Sequence, residues 1–267
     1  MRVSRTLASI TAAAALAVGS FLVAAPASAA PPASSAVPYA ALGDSYAAGF
    51  GGGMSEDACG RSPNGYPQGL VGIAHIQLAQ DLACSGATAA DVMTYQVPGL
   101  SPASRLVTLT VGGDDVGFYD IVVACFALPS SPQQQALCAA ALAAGRAALD
   151  TVPGKVAATV AAIRAQAPGA RVVVTGYPLL FRLPSAYGDA AAQLNQAIPL
   201  LNAAIQAGAM AAGATYVDVT QAFSGHGIGS AVPWINDFTP ATPNTDAFHP
   251  NASGYRAYAN ALKPFVG

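Results

Sequence analysis

Apolar runs of strand length alternate with helical patterns along most of the chain. The clearest runs, which predict buried strands, lie at 39–42, 105–111, 171–175 and 214–219. A further strand with a weaker pattern is predicted within 76–83. Long helices are predicted at 154–166, 189–212 and 252–263. Strands that alternate with helices predict an α/β fold, in which a parallel sheet of about five strands has helices on both faces.

A serine stands where the first of these strands ends. Gly43-Asp44-Ser45 follows the run 39–42 directly and leads into a glycine-rich segment. In open α/β sheets, ligands bind at the carboxyl ends of the strands, where main-chain amides can face a developing negative charge. Ser45 is therefore the candidate nucleophile. The alternative is that Asp44 and Ser45 only cap the helix that follows.

Further polar residues stand at the ends of later elements. Ser85-Gly86 follows the second predicted strand, and Asp114 follows the third. Near the end of the chain, Asp246 precedes His249 by three residues, just before the last predicted helix. A histidine can act as the base for a serine, and a carboxylate can orient that histidine. The placement of these residues predicts a serine hydrolase site.

The first 29 residues have the features of an export signal. Arg2 and Arg5 form a charged head, an apolar run covers 7–25, and Ala27-Ser28-Ala29 fits a cleavage site. The alternative, a membrane anchor, is disfavoured because polar residues and glycine interrupt the run. We expect a signal peptide at 1–29, a single domain at 30–267, and a secreted product. We also expect that no later stretch is long and apolar enough to cross a membrane.

Composition and charge limit the class of partner. Charged residues are only 9% of the chain, and much of the 53% that is hydrophobic is alanine, which suits helices packed closely on a sheet. Loss of Arg2 and Arg5 with the signal takes the formal net charge from −2 to −4. This balance argues against nucleic acid as a partner.

The chain has four cysteines, an even number that predicts two disulfides in an exported protein. Three pairings are possible. We favour Cys59 with Cys84, which ties the loop after the candidate serine to a later loop, and Cys125 with Cys138, which closes a short loop. A zinc site is the rival interpretation, but no Cys-x-x-Cys pair exists and the three histidines are far apart in sequence. We expect no metal and no cofactor.

Together these segments resemble the SGNH or GDSL esterases and lipases, and among them the disulfide-containing secreted lipases of actinobacteria. The resemblance covers residue 39 to the end and implies a flavodoxin-like α/β/α sandwich. By this likeness Ser45 is the nucleophile, Gly86 is the oxyanion glycine, and Asp246-x-x-His249 supplies the base and its partner. In some relatives a main-chain carbonyl orients the histidine, and Asp246 would then be a helix cap.

One position departs from the family pattern. The family normally has Gly-x-Asn-Asp where this chain has Gly112-Gly113-Asp114-Asp115, and that asparagine donates a hydrogen bond to the oxyanion. A carboxylate donates only when it is protonated, and an ionised one repels the charge that forms there. The predicted oxyanion hole is Ser45, Gly86 and Asp114, with the contribution of Asp114 dependent on its proton.

The expected function is that of a secreted, monomeric serine esterase or lipase in lipid degradation, acting on a small-molecule or lipid ester with transient contact at a lipid interface. Alternatives are a carbohydrate esterase or acyltransferase on the same fold, or a binding protein whose oxyanion site has decayed at Asp114. Trp234 and Phe238 are candidates either for an acyl pocket or for core packing. His75 and His226 are expected to be packed or loop residues.

Overall fold

Five parallel strands form the centre of the protein, in a computed structural model that describes residues 36–54, 57–127, 130–238 and 246–267. They are β1 (Val37–Gly43), β2 (Ile76–Asp81), β3 (Leu106–Thr110), β4 (Arg171–Thr175) and β5 (Thr215–Val217). The order β2-β1-β3-β4-β5 is that of the flavodoxin-like fold, so the predicted fold is confirmed. The expected signal peptide, 1–29, lies outside the described residues.

Helices flank the sheet. The α-helices of the described residues are α1 (Ser45–Ala48), α2 (Tyr66–Gly69), α3 (Ala89–Asp91), α4 (Phe118–Val122), α5 (Pro132–Ala148), α6 (Val152–Gln166), α7 (Gly188–Ala211) and α8 (Ala252–Val266). Short 3-10 turns lie at Ile73–His75, Val97–Gly99, Asp114–Val116, Leu149–Thr151 and Thr220–Phe223, and π-helical turns at Val92–Gln96 and Val123–Ala127. The three predicted long helices correspond to α6, α7 and α8, while α5 is an additional long helix that the sequence patterns did not assign.

The burial of each strand explains how clearly the sequence showed it. Every residue of β3 is buried, and such strands give continuous apolar runs because helices cover both faces of the sheet. By contrast β2 lies at the edge, and after the buried Ile76 its residues are exposed or half-buried. Its short, mixed pattern is the reason that it could be placed only within a range.

Residues Pro132–Gln166, which span α5 and α6, are apolar and long enough by length and composition to cross a membrane. The expectation that no such stretch follows the export signal was therefore wrong. The run is divided by the turn Leu149–Thr151, and α6 buries Val156, Val160 and Ile163 in the core. Helices of a protein core meet the same criterion of length and composition, and the buried face of α6 is that of a core helix.

The carboxyl ends of β1 and β3 approach each other very closely. Gly43 ends β1 with φ at 129°, and a Cβ at this position would overlap the carbonyl oxygen of Thr110 at the end of β3. The amide of Asp44 donates to that same carbonyl at 3.0 Å. Only glycine permits this contact, which sets the turns after the two strands side by side at the topological switch point of the sheet.

Candidate active site

Ser45 is the first residue of α1, directly after β1. Asp44 caps this helix, since its Oδ1 accepts from the amide of Tyr46 at 3.0 Å. The Oγ of Ser45 lies 2.8 Å from Nε2 of His249. The structure thus brings together two residues that are 204 positions apart in the chain, in the nucleophile-to-base contact that acyl transfer requires.

The main chain, rather than a carboxylate, orients the imidazole of His249. Its Nδ1 lies 2.9 Å from the carbonyl oxygen of Ala247, which can only accept, so Nδ1 carries the proton and Nε2 faces Ser45 as the acceptor. The carboxylate of Asp246 instead accepts from Nδ2 of Asn236 at 3.2 Å. The prediction that Asp246 holds Nδ1 is therefore corrected in favour of the Ala247 carbonyl.

The helix-cap alternative for Asp246 is also wrong. Asn251 is the N-cap of α8, because its Oδ1 accepts from the amides of Ser253 and Gly254 at 3.0 and 3.1 Å. Asp246 lies five residues earlier, in the loop that carries His249. Its contact with Asn236 secures that loop.

The loop that carries His249 is fixed on both sides. The hydroxyl of Tyr46 donates to the carbonyl of Phe248 at 2.7 Å, and the amide of Asn236 donates to the carbonyl of His249 at 2.9 Å. Burial lowers the pKa of His249 from 6.5 to about 4, while the carbonyl of Ala247 and the charge of Asp246 act in the opposite direction. At neutral pH the imidazole is therefore uncharged and available as a base.

Gly86 faces the same cavity as Ser45. It has φ at 79°. The segment before it is secured by hydrogen bonds from the amide of Cys84 to the carbonyl of Gly43 at 3.0 Å and from the amide of Ser85 to the carbonyl of Cys59 at 2.9 Å.

The structure contains both of the favoured disulfides, with Cα–Cα distances of 4.3 Å for Cys59–Cys84 and 4.6 Å for Cys125–Cys138. The first of them ends at Cys84, two residues before Gly86.

Asp114 and Asp115 follow β3 and have different surroundings. The carboxylate of Asp115 accepts from Nζ of Lys155 at 3.0 Å and from the amide of Ala89 at 2.9 Å, with its side chain 2% exposed. Asp114 faces the cavity beside Ser45. Burial, followed by the charges of Asp115 and Asp91, raises the pKa of Asp114 from 3.8 to about 6. Asp115 therefore anchors the turn, while Asp114 is a carboxyl group that retains its proton in mildly acidic solution.

Tyr177 connects the turn after β1 with the turn after β3, a role that no sequence pattern indicated. Its hydroxyl donates to Oδ2 of Asp44 and accepts from the amide of Gly113 at 2.9 Å. Burial, followed by the charge of Asp114, raises the pKa of Asp44, and the hydrogen bond from Tyr177 opposes this rise. The signal in the sequence was position: Tyr177 comes two residues after β4, at the same edge of the sheet as the candidate serine.

A cavity of about 590 Å³ opens beside Ser45 and His249. Its walls are mainly apolar and are formed by Phe50, Phe118, Tyr119, Val122, Val123, Ala127, Phe238, Ala247 and Phe248. Phe238 therefore lines this cavity, as one interpretation proposed. Trp234 instead stacks on His226 with ring centroids 3.5 Å apart, and His75 lies in the turn before β2.

Comparison with known proteins agrees with this geometry. The GDSL-like Lipase/Acylhydrolase family matches residues 41–257. A lipase of Streptomyces rimosus is 34% identical over 229 residues, which are 82% of this chain and 82% of that protein. Lipase 1 of Streptomyces coelicolor is 36% identical over 225 residues, 81% of each.

Two solved structures are similar over almost their whole length. The extracellular lipase of Streptomyces rimosus has a TM-score of 0.76 at 32% identity, and phospholipase A1 of Streptomyces albidoflavus NA297 has a TM-score of 0.76 at 34% identity. Each match covers 86% of this chain and 99% of the other. The chain therefore belongs to the GDSL-like lipase/acylhydrolase family and is a GDSL-type carboxylic ester hydrolase.

Proposed function

We propose that this protein is a secreted serine esterase that hydrolyses aliphatic esters through an acyl-enzyme on Ser45. The observation that carries the proposal is the 2.8 Å contact between Oγ of Ser45 and Nε2 of His249 at the edge of an apolar cavity. A nucleophile, a neutral base and space for an acyl chain are then adjacent.

In the acylation step, His249 takes the proton of Ser45 on Nε2 while Oγ forms a bond to the ester carbonyl carbon. The tetrahedral intermediate collapses, the C–O bond to the alcohol breaks, and the imidazolium gives its proton to that alcohol. Water then attacks the acyl-serine with His249 again as the base, which releases the acid and restores Ser45. The Ala247 carbonyl holds the Nδ1 proton throughout and stabilises the charged imidazolium.

The oxyanion is held by the amides of Ser45 and Gly86 and by the protonated carboxyl of Asp114. The amide of Ser45 is at the first position of α1, where no carbonyl within the helix can accept from it. Asp114 lines the same cavity, and burial keeps its proton up to a pH of about 6. A protonated carboxyl donates one hydrogen bond, as the family's asparagine does. The ionised carboxylate cannot donate.

The apolar walls favour an acyl chain over a sugar as the group bound beside Ser45. A carbohydrate esterase must offer polar partners to hydroxyl groups, whereas phenylalanine, tyrosine and valine are half of the residues that line this cavity. The likeness to a phospholipase A1 supports a second substrate class, in which the ester belongs to a glycerophospholipid. An acyltransferase would use the same acyl-serine, with an alcohol in place of water.

Secretion is supported by the two disulfides, which persist in oxidising compartments, and by the likeness to a lipase described as extracellular. The segment expected to direct export, 1–29, lies outside the described residues. Mass spectrometry of protein from the culture medium of an expressing bacterium should find an N-terminus near Ala30. An intact Met1 on cell-retained protein would contradict this part of the proposal.

The test of the nucleophile is Ser45→Ala measured with p-nitrophenyl butyrate. We expect turnover to fall by at least about 10³-fold, with an unchanged thermal unfolding temperature, because the small side chain contributes chemistry rather than packing. A fluorophosphonate probe should label the wild type on Ser45. Wild-type turnover in the variant would disprove the assignment, and an unlabelled, inactive wild type would favour the decayed binding protein.

The substrate class is tested separately with p-nitrophenyl esters of increasing acyl length, phosphatidylcholine vesicles and acetylated xylan. We expect hydrolysis of medium-chain esters, and fatty acid release from the vesicles if the second substrate class is correct. Activity confined to acetylated xylan would contradict the argument from the apolar cavity.

A further inference from the structure

A second, smaller cavity also borders Ser45. Its volume is about 40 Å³, and it is enclosed between the turn after β4 and helix α7. Ser45, Asp114 and Phe118 line both this inner cavity and the outer cavity of about 590 Å³. These three residues therefore border both spaces, and Phe118 is the aromatic side chain among them.

The inner cavity suits an apolar group. Leu180, Ile198 and Leu201 contribute side chains that are at most 8% exposed. The hydroxyl of Tyr177, which borders this cavity, is already bonded to Asp44 and to the amide of Gly113. A water molecule needs two to four polar partners, so a cavity of this lining favours one or two methylene or methyl groups instead.

Phe118 is held at the boundary by the backbone around it. Gly117 lies in the left-handed region with φ at 73°, and the amide of Phe118 donates to the carbonyl of Gly113 at 3.2 Å. The ring is half-buried and packs on the core, while the next residues of α4, Tyr119 and Val122, line only the outer cavity. The position of the ring is thus set by the turn that carries Asp114.

We infer that Phe118 determines acyl specificity by separating the outer cavity from the inner one, so that the enzyme accepts a linear acyl chain and excludes a branch beside the carbonyl. The inference rests on Ser45 as the nucleophile. A linear acyl group on Ser45 extends into the outer cavity alone. An acyl group branched at its second carbon needs room on both sides of Ser45, and the inner cavity supplies that room once the ring is removed.

The test compares two p-nitrophenyl esters of equal carbon number, the 2-ethylhexanoate and the octanoate. Because one methylene in an apolar pocket changes kcat/KM by about 10 to 200-fold, we expect Phe118→Ala to raise the branched-to-linear ratio by about tenfold. Adding Ile198→Phe, which fills the inner cavity, should return the ratio to about the wild-type value. Ile198→Phe alone should leave the ratio unchanged, since the ring already closes the inner cavity.

Tyr119→Ala is the matched control, because it removes the neighbouring aromatic ring from the outer cavity only and should not raise the ratio. If thermal unfolding shows that Phe118→Ala is not folded, Phe118→Leu is measured in its place. An unchanged ratio, or a rise that Ile198→Phe does not reverse, would overturn the inference. Fluorophosphonate labelling of Ser45 separates this outcome from failure of the proposed function, which would leave Ser45 unlabelled.

Discussion

The turns after β1 and β3 are neighbours, and each carries an aspartate that lines the inner cavity. Asp44 is 1% exposed and has two fixed partners, the amide of Tyr46 and the hydroxyl of Tyr177. Asp114 faces the substrate cavity and is in contact with solvent on that side. Burial raises the pKa of both carboxyl groups, yet of the two only Asp114 lines the outer cavity beside Ser45 and His249.

The comparison shows that hydrogen-bond partners, rather than residue type, distinguish the carboxyl group that fixes the turn carrying Ser45 from the one that we propose as an oxyanion donor. Asp44 has used its acceptor capacity to fix α1 and Tyr177, so it holds the nucleophile turn in place. Below a pH of about 6, Asp114 retains a proton that it can donate into the cavity. Because the charge of Asp114 also raises the pKa of Asp44, ionisation of Asp114 favours the protonated form of Asp44.

Asp44→Ala should show the largest effect on stability. It removes a helix cap and leaves the hydroxyl of Tyr177 without its acceptor, which together destabilise by about 2 to 4 kcal/mol. Urea unfolding at pH 4 is the measurement, since the raised pKa keeps Asp44 protonated there and ionisation does not offset the loss. Asp44→Asn retains the cap and is the matched control. Equal stability of Asp44→Ala and wild type would contradict the structural role.

Asp114→Asn should stabilise the protein above pH 6 and have little effect at pH 4. A carboxyl group whose folded pKa is raised contributes its stability below the unfolded pKa and loses it as pH rises to the folded pKa. With the pKa of Asp114 raised from 3.8 to about 6, wild type loses this contribution between those pH values. The gain at pH 8 is on the order of 2 to 3 kcal/mol. Parallel urea curves at pH 4 and pH 8 test it, and an equal difference at both would contradict the raised pKa.

Asp246→Ala should have the smallest effect, because the carbonyl of Ala247 holds Nδ1 of His249. We expect kcat on p-nitrophenyl butyrate to fall by less than about tenfold, far from the loss of about 10⁴ seen when a true orienting aspartate is replaced. His249→Ala, which removes the base, is the comparison. A loss as large as that of His249→Ala would restore Asp246 to the role that the sequence predicted.

The sequence predicted those features that repeat along the chain or stand at strand ends. Buried strands give apolar runs, so β1, β3 and β4 were recognisable, and the residues after β1 and β3 gave Ser45 and Asp114. Helix α5 was missed because it is rich in alanine, and its exposed and buried positions differ little in polarity.

The partner of His249 could not be read from the sequence for a different reason. A carbonyl oxygen exists at every residue, and which one meets Nδ1 depends on the conformation of the loop, where Phe248 lies in the left-handed region with φ at 66°. Asp246 was the only side chain that the spacing suggested. Tyr177 was missed because its hydrogen bonds join segments 133 and 64 residues apart.

The most direct test of the difference between the two aspartates is the pH dependence of kcat/KM for wild type and Asp114→Asn on p-nitrophenyl butyrate. In wild type we expect activity to rise as His249 loses its proton near pH 4 and to fall as Asp114 loses its proton near pH 6. Asp114→Asn should keep the first limb and lose the second, and at pH 8 its kcat should exceed that of wild type by up to about 10². Coincident profiles above pH 6, with Ser45 labelled by the fluorophosphonate in both proteins, would show that Asp114 is not an oxyanion donor.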